Sequence, residues 1–222
     1  MGEFTGFPAS ALDFYAQLEE DCTRDFWRAH QEQYAREVRQ PMEDLVGTLE
    51  PEFGEGKVFR PQRDVRFSAD KSPYKTHQGG YCASPGGSAY YVQLDADGLL
   101  VGGGRYRLAP DQVARYRRAV SEGVPGNELV RIIDSLAAEG FSRHGEQLKT
   151  RPRGVPEDHP RLELLRHKAI ALRVEHGAPD WLSTSETLDV VRDGWDALRP
   201  FVAWMDQHVG PSEQESRRAG GR

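Results

Sequence analysis

The chain reads as an α+β domain, with a central, mainly antiparallel sheet over residues 57 to 105 packed by N-terminal, middle and C-terminal helices. Three observations predict this. Apolar residues recur with a helical period on both sides of the middle of the chain. Between Lys57 and Arg105 the period gives way to strand-like alternation. Asp95-Ala96-Asp97-Gly98, between two alternating runs, is a hairpin signal. One domain is expected over residues 1–210, followed by a disordered tail over 211–222.

Taken in order, Ser10 with Asp13, just after Pro8, resembles a capping box and opens a helix carrying Leu12, Tyr15 and Leu18. Thr23 is placed to cap the next helix, whose apolar stripe is Phe26, Trp27, His30, Tyr34 and Val38. His30 on that stripe reads as a satisfied boundary histidine. Pro41 suits the first position of a further helical segment that buries Met42, Leu45, Val46 and Leu49. Lys57 to Ser68 then reads as a strand, with Arg63, Val65 and Phe67 on one face and Asp64, Arg66 and Ser68 on the other. Asp70-Lys71-Ser72-Pro73 reads as a turn and residues 79–88, GGYCASPGGS, as a glycine-rich connector. Ala89–Leu94 and Leu99–Arg105 are the strands of the hairpin. Gly102-Gly103-Gly104 inside the second implies a bulge or a close approach by backbone or ligand, a crowded sheet crossing being equally open.

From Pro110 the helical period returns with Val113, Tyr116 and Val120, then Leu129, Ile132, Ile133 and Leu136, with Asn127 as a cap and Gly140 as the terminator. Residues 141–156 are irregular and basic. A helix from Pro160 carries Leu162, Leu165, Ala169 and Leu172, and Ser183 with Glu186 opens a C-terminal helix that Pro200 is expected to kink. Residues 211–222 contain no apolar side chain apart from Ala219, which underlies the expectation of a disordered tail.

Composition narrows the class. A chain of 222 residues with 37% hydrophobic and 29% charged residues is long enough for a real core and is heavily solvated. No apolar run approaches about 18 residues, so no membrane span is expected. The N-terminal stretch has neither a basic start nor an apolar core, so no secretory signal is expected. Two cysteines, Cys22 and Cys82, make no framework, and a reduced, cytoplasmic setting follows. The net charge of −6 argues against sequence-blind nucleic-acid binding. No P-loop, dinucleotide fingerprint, zinc motif or nucleophile elbow is present, so no cofactor or metal is expected. Asp95 and Asp97 lack the further oxygens a calcium loop needs.

Against this acidic background, residues 57 to 77 hold six cations (Lys57, Arg60, Arg63, Arg66, Lys71 and Lys75) and two acids (Asp64 and Asp70). Arg forks match carboxylate or phosphate oxygens in pairs, and Lys adds point charge. The expected ligand set for a small phosphorylated or carboxylated molecule is Arg63, Arg66, Ser68, Lys71, Tyr74 and Lys75. Arg105 and Lys149 join it from two further basic segments, if the three segments converge. Tyr74, His77 and Asp64 are the candidates for proton transfer, with Asp70 and His159 behind them; a Tyr flanked by Lys71 and Lys75 is in the charge setting that favours its anion. Whether any reaction follows stays open at this level, as does oligomeric state. The competing reading is structural, an ion-pair network holding the strand to a helix. A second functional class is a non-catalytic module whose basic strip docks an acidic protein or RNA.

RDVRFSADKSPYKTH at 63–77 is similar to the signature of the conserved hypothetical family termed domain of unknown function 2461. Phe26-Trp27 with Tyr34 and Pro41, GGGRYRLAP at 102–110, LKTRPRG at 148–154 and DHPRLELLRHK at 158–168 resemble its other motifs. Asp21-Cys22 departs from it, standing where members tend to carry two asparagines. The resemblance spans roughly residues 6 to 208 and implies an α+β fold; it implies no activity.

Overall fold

The computed structural model describes residues 2–64 and 71–213. Six strands, β1 (Glu55–Val58), β2 (His77–Ala83), β3 (Ala89–Asp95), β4 (Gly98–Arg105), β5 (Ser142–His144) and β6 (Ile170–Gly177), form an antiparallel sheet in the order β1-β2-β3-β4-β6-β5. The helices are α1 (Ala9–Glu20), α2 (Arg24–Gln33), α3 (Gln40–Phe53), α4 (Pro110–Ser121), α5 (Gly123–Ala138), the single turn α6 (Leu162–Leu165) and α7 (Glu186–His208). The fold class is α+β. The residues fall into two compact units. The first lies within Met1–Ala83, Tyr91–Val101 and Glu175–Gly194, and the second within Ser84–Tyr90, Gly102–Val174 and Trp195–Arg222.

In the first unit Thr23 caps α2, its Oγ1 accepting from the Phe26 amide at 3.2 Å. Between α2 and α3 the chain takes a π-helical turn, Tyr34–Arg39, that buries Tyr34 and Val38. α3 then lies so close to one face of β1 and β2 that a Cβ at Gly56 or Gly80 would stand 2.8 or 2.6 Å from a methyl of Val46. Those glycines let an apolar helix face reach the sheet backbone, and Met42, Val46 and Cys82 are buried there. The opposite face holds Tyr81, cross-strand from Lys57, with Phe59 5.3 Å from it and Tyr91 6.4 Å from Phe59, centroid to centroid. Gly79 leaves room for the last ring; a Cβ there would sit 2.5 Å from the Tyr91 hydroxyl oxygen.

The second unit is built on the C-terminal part of α7, whose Trp195, Leu198, Phe201, Val202 and Met205 are buried. The helix runs on through Pro200 without a break. The glycine triplet owes its composition to β6: a Cβ at Gly102 or Gly104 would lie 2.8 or 2.6 Å from the carbonyl oxygens of Leu172 and Ile170. Gly104 also has φ +127°, a backbone region that favours glycine. α4 and α6 are tied by Tyr116, whose hydroxyl donates to Leu164 O at 3.1 Å. The Trp204 indole donates to Pro125 O at 3.0 Å.

Several expectations are corrected. The strand expected over 57–68 ends at Val58, because Pro61 has no amide to donate; its carbonyl accepts from Lys75 N at 2.9 Å, and beyond it a single bridge pairs Gln62 with Tyr74. Residues 65–68 lie outside the described residues. The glycine-rich connector is half strand: residues 79–83 belong to β2, since its glycines serve close packing rather than a turn. The helix expected from Pro160 to Leu172 is one turn, and Ile170–Gly177 is strand β6, which with β5 extends the sheet beyond residue 105. Pro8, not Ser10, precedes α1, and Asn127 sits inside α5, where its Oδ1 accepts from Arg161 at 2.6 Å. Thr184 rather than Ser183 accepts from the Glu186 amide, at 3.3 Å. Of the C-terminal segment, residues 211–213 are described: Pro211 O accepts from Arg115 at 2.6 Å, and buried Ser212 donates to Asp111 at 3.0 Å.

Candidate functional site

The basic motif folds back on itself. Arg63 N donates to Pro73 O at 3.0 Å, and with Lys75 N on Pro61 O this clamps residues 60–63 against residues 73–75. Tyr74 anchors the clamp: its ring stacks on Trp27 with centroids 4.3 Å apart and planes 11° off parallel. Its carbonyl oxygen lies 3.4 Å from Arg63 Nε and 3.7 Å from Cys22 Sγ. Behind the clamp, Gln78 is 1% exposed. It accepts from the Tyr34 hydroxyl at 2.6 Å and donates to Phe59 O and Gly79 O at 2.8 and 2.9 Å. A buried amide with every bond made rigidifies its surroundings, here the junction of β1 and β2.

In front of the clamp the side chains are cationic. Lys75 Nζ donates to Arg60 O at 3.0 Å and stands 5.0 Å above the centroid of the Phe59 ring. Burial first, then the charges of Arg60 and Arg63, lower the Lys75 pKa. His77, the first residue of β2, is half-buried. Burial and the Lys75 charge lower its pKa, Asp95 opposes them, and Arg63 adds to the lowering. Its imidazole is therefore held toward the neutral form. Beside it Tyr91 donates to Gln93 and Gln93 to Asp95, both at 2.8 Å, a hydrogen-bonded row along one face of β3.

The remaining sequence candidates divide. Asp64 and Lys71 are exposed at the two ends of the described motif. Arg66, Ser68 and Asp70 lie outside the described residues. Arg105 is 7% exposed and turned inward, its guanidinium donating to Ser88 Oγ at 3.2 Å and to Gly86 O, with Asp206 3.5 Å away. Lys149 is exposed, and its carbonyl accepts from Arg166 at 3.1 Å. His159 Nδ1 accepts from Arg161 N at 3.1 Å, a capping arrangement. His30 bonds Phe26 O at 2.8 Å and stacks on the Phe26 ring. Asp95 accepts from the Asp97 amide at 3.0 Å within the hairpin turn. Among the described residues no group of three or more His, Cys, Asp or Glu is placed to hold a metal ion.

The 105–107 and 148–149 segments belong to the second unit, and Arg107 and Leu148 line the same cavity there, of about 710 Å³. Arg117 and Lys168 line it too, and sequence reasoning missed both: Arg117 sits on a helix and Lys168 in a segment read as helical, where an isolated cation carries no signal. The Tyr91-Gln93-Asp95 row was legible only as strand alternation.

An antiparallel sheet with helices before, between and after its strands, carrying a clamped basic motif on one face, defines the class. The chain belongs to the family described as conserved hypothetical protein (DUF2461), whose profile matches residues 10–204. No curated protein and no solved structure matches it. No described helix is long and apolar enough to cross a membrane.

Proposed function

We propose that the clamped basic face of the first unit, formed by Phe59, Arg60, Arg63, Lys75 and His77, binds a small phosphorylated or carboxylated ligand. The observation that carries this reading is the clamp itself. Gln62 bridged to Tyr74, and Lys75 bonded to Pro61 and Arg60, bring Arg60 and Arg63 within electrostatic reach of Lys75, which stands over the Phe59 ring. Like charges gathered at a half-buried place repel one another, and an anion there relieves the repulsion. A neutral imidazole beside it is suited to accept a proton, so proton transfer to His77 is the reaction this site would support. The half-burial of Phe59, Tyr81 and Tyr91 against one another favours a small ligand over RNA, whose bases need rings standing clear to stack on.

The test is a thermal titration with inorganic phosphate at fixed ionic strength. A Kd of about 1 mM gives about 1.4 kcal/mol of stabilisation at roughly 10 mM ligand, a Tm rise of about 3–6 °C. Phosphate also stabilises proteins by exclusion from their surface, so the comparison is with variants. Arg60→Gln removes a charge from an exposed side chain, and Lys75→Met keeps the contact with Phe59. Both are expected to stay folded and to lose most of the phosphate-dependent rise. A phosphate response equal to that of the unaltered protein in both variants would leave the basic face as scaffolding.

A further inference from the structure

The cavity of the second unit is a separate place with its own chemistry. Leu108, Pro110, Val113 and Leu148 give it an apolar lining, and Arg107 and Arg117 stand in its wall. Lys168 and Glu146, also in the wall, are bonded to each other. Among the described residues the two arginines have no such partner. Among the described residues no carboxylate pairs with Arg107, and Arg117 gives its Nε to Leu165 O at 3.1 Å and pairs with no acid. Asp111, the acid nearest to Arg107 in sequence, is engaged by Arg115, Ser212 and the Glu213 amide. At the rim Tyr106 is 86% exposed, an aromatic ring held in solvent. A volume of about 710 Å³ lies within the usual range for a small-molecule site. The lining is mixed, part apolar and part cationic, and inorganic phosphate would leave the apolar part unused.

We propose that this cavity binds an organic acid with an apolar, ring-sized body, its carboxylate held by Arg107 and Arg117 and its body lying on Leu108, Val113 and Leu148. Guanidinium forks match a carboxylate in two parallel hydrogen bonds, while the apolar wall takes what the carboxylate is attached to. The site is independent of the basic face of the first unit and stands or falls without it.

Calorimetric titration of the full chain with 1-naphthoate tests the proposal, with 1-naphthalenemethanol as the uncharged counterpart and inorganic phosphate as the anion without a body. The expected Kd for 1-naphthoate is about 1 mM or tighter, with 1-naphthalenemethanol at least tenfold weaker and, in Lys75→Met, whose basic face no longer takes phosphate, phosphate at least tenfold weaker as well. Arg107→Gln alters an exposed side chain and is expected to weaken 1-naphthoate about tenfold. Val113→Asp, on the lining, is expected to abolish the binding, and Lys75→Met to leave it unchanged. The proposal is overturned by no 1-naphthoate binding at about 10 mM, by binding that Arg107→Gln leaves intact, or by binding lost in Lys75→Met. Phosphate binding in this cavity as tightly as 1-naphthoate also overturns it, because the apolar wall would then contribute nothing.

Discussion

Replacing Tyr34 by Phe removes one hydroxyl and leaves Gln78 Oε1 buried without its donor at 2.6 Å. An unsatisfied buried acceptor costs about 1–3 kcal/mol, and the aromatic packing on Trp27 and Phe14 is retained. At about 2 kcal/mol the Tm of a chain of this size falls by roughly 4–8 °C. Tyr34 also supplies a pH signature. Burial pushes its pKa to about 12, Arg39 pulling it down and Glu43 pushing it up. The unfolded phenol titrates near ~10. A group whose folded pKa is raised contributes stability that is complete below the unfolded pKa and is lost as pH rises through the folded one. Between pH ~10 and ~12 the unaltered protein therefore loses on the order of 3 kcal/mol through Tyr34 that the variant has no phenol to lose. Urea unfolding of both proteins at neutral pH and across the alkaline range measures this. The gap between them is expected to be about 2 kcal/mol at pH ~7 and to close before pH ~12. Tyr15, Tyr90 and Tyr116, also raised by burial, keep an alkaline limb in both proteins. A gap under about 0.5 kcal/mol at neutral pH, or two alkaline curves that run parallel, would refute the role given to this hydrogen bond.

Two further outcomes follow from packing. Ending the chain after Val209 removes Gly210 O, which buried Gln112 bonds at 2.7 Å, and Pro211 O, which Arg115 bonds at 2.6 Å. The Tm is expected to drop by about 2–4 °C or more, whereas ending it after Glu213 is expected to leave the Tm unchanged. Equal melting of the two truncations would show that these bonds contribute nothing. Gly104→Ala places a methyl 2.6 Å from Ile170 O at φ +127°, with an expected loss of about 2 kcal/mol or more. Gly123→Ala, at the start of α5 with nothing within 4 Å, is expected to be neutral or to stabilise by up to about 1 kcal/mol. Guanidinium unfolding of the pair checks both signs, and similar midpoints would show that the glycine triplet is not there for β6.

By itself the sequence determined the features that local chemistry decides. The apolar stripes of α2, α3 and α7, the Thr23 cap, the Gly140 terminator and the Asp97-Gly98 hairpin are each specified within a few residues. The basic motif was equally legible, because six cations in 21 residues stand out in an acidic chain. Tertiary structure decided what depends on a distant partner. Ile170–Gly177 is a strand because β4 offers a row of glycines for its carbonyls to approach, and nothing between Leu162 and Leu172 announces this. Arg105 and Arg107 are two residues apart and look alike in sequence, yet one is committed to Ser88, Gly86 and Asp206 while the other stands in a cavity wall. Tyr74 looked like a proton-transfer candidate from its flanking lysines, but Trp27, 47 positions earlier in the chain, makes it the stacked anchor of the clamp. In each case the residue type sets what a side chain is able to do, and the neighbour brought to it by the fold selects what it does.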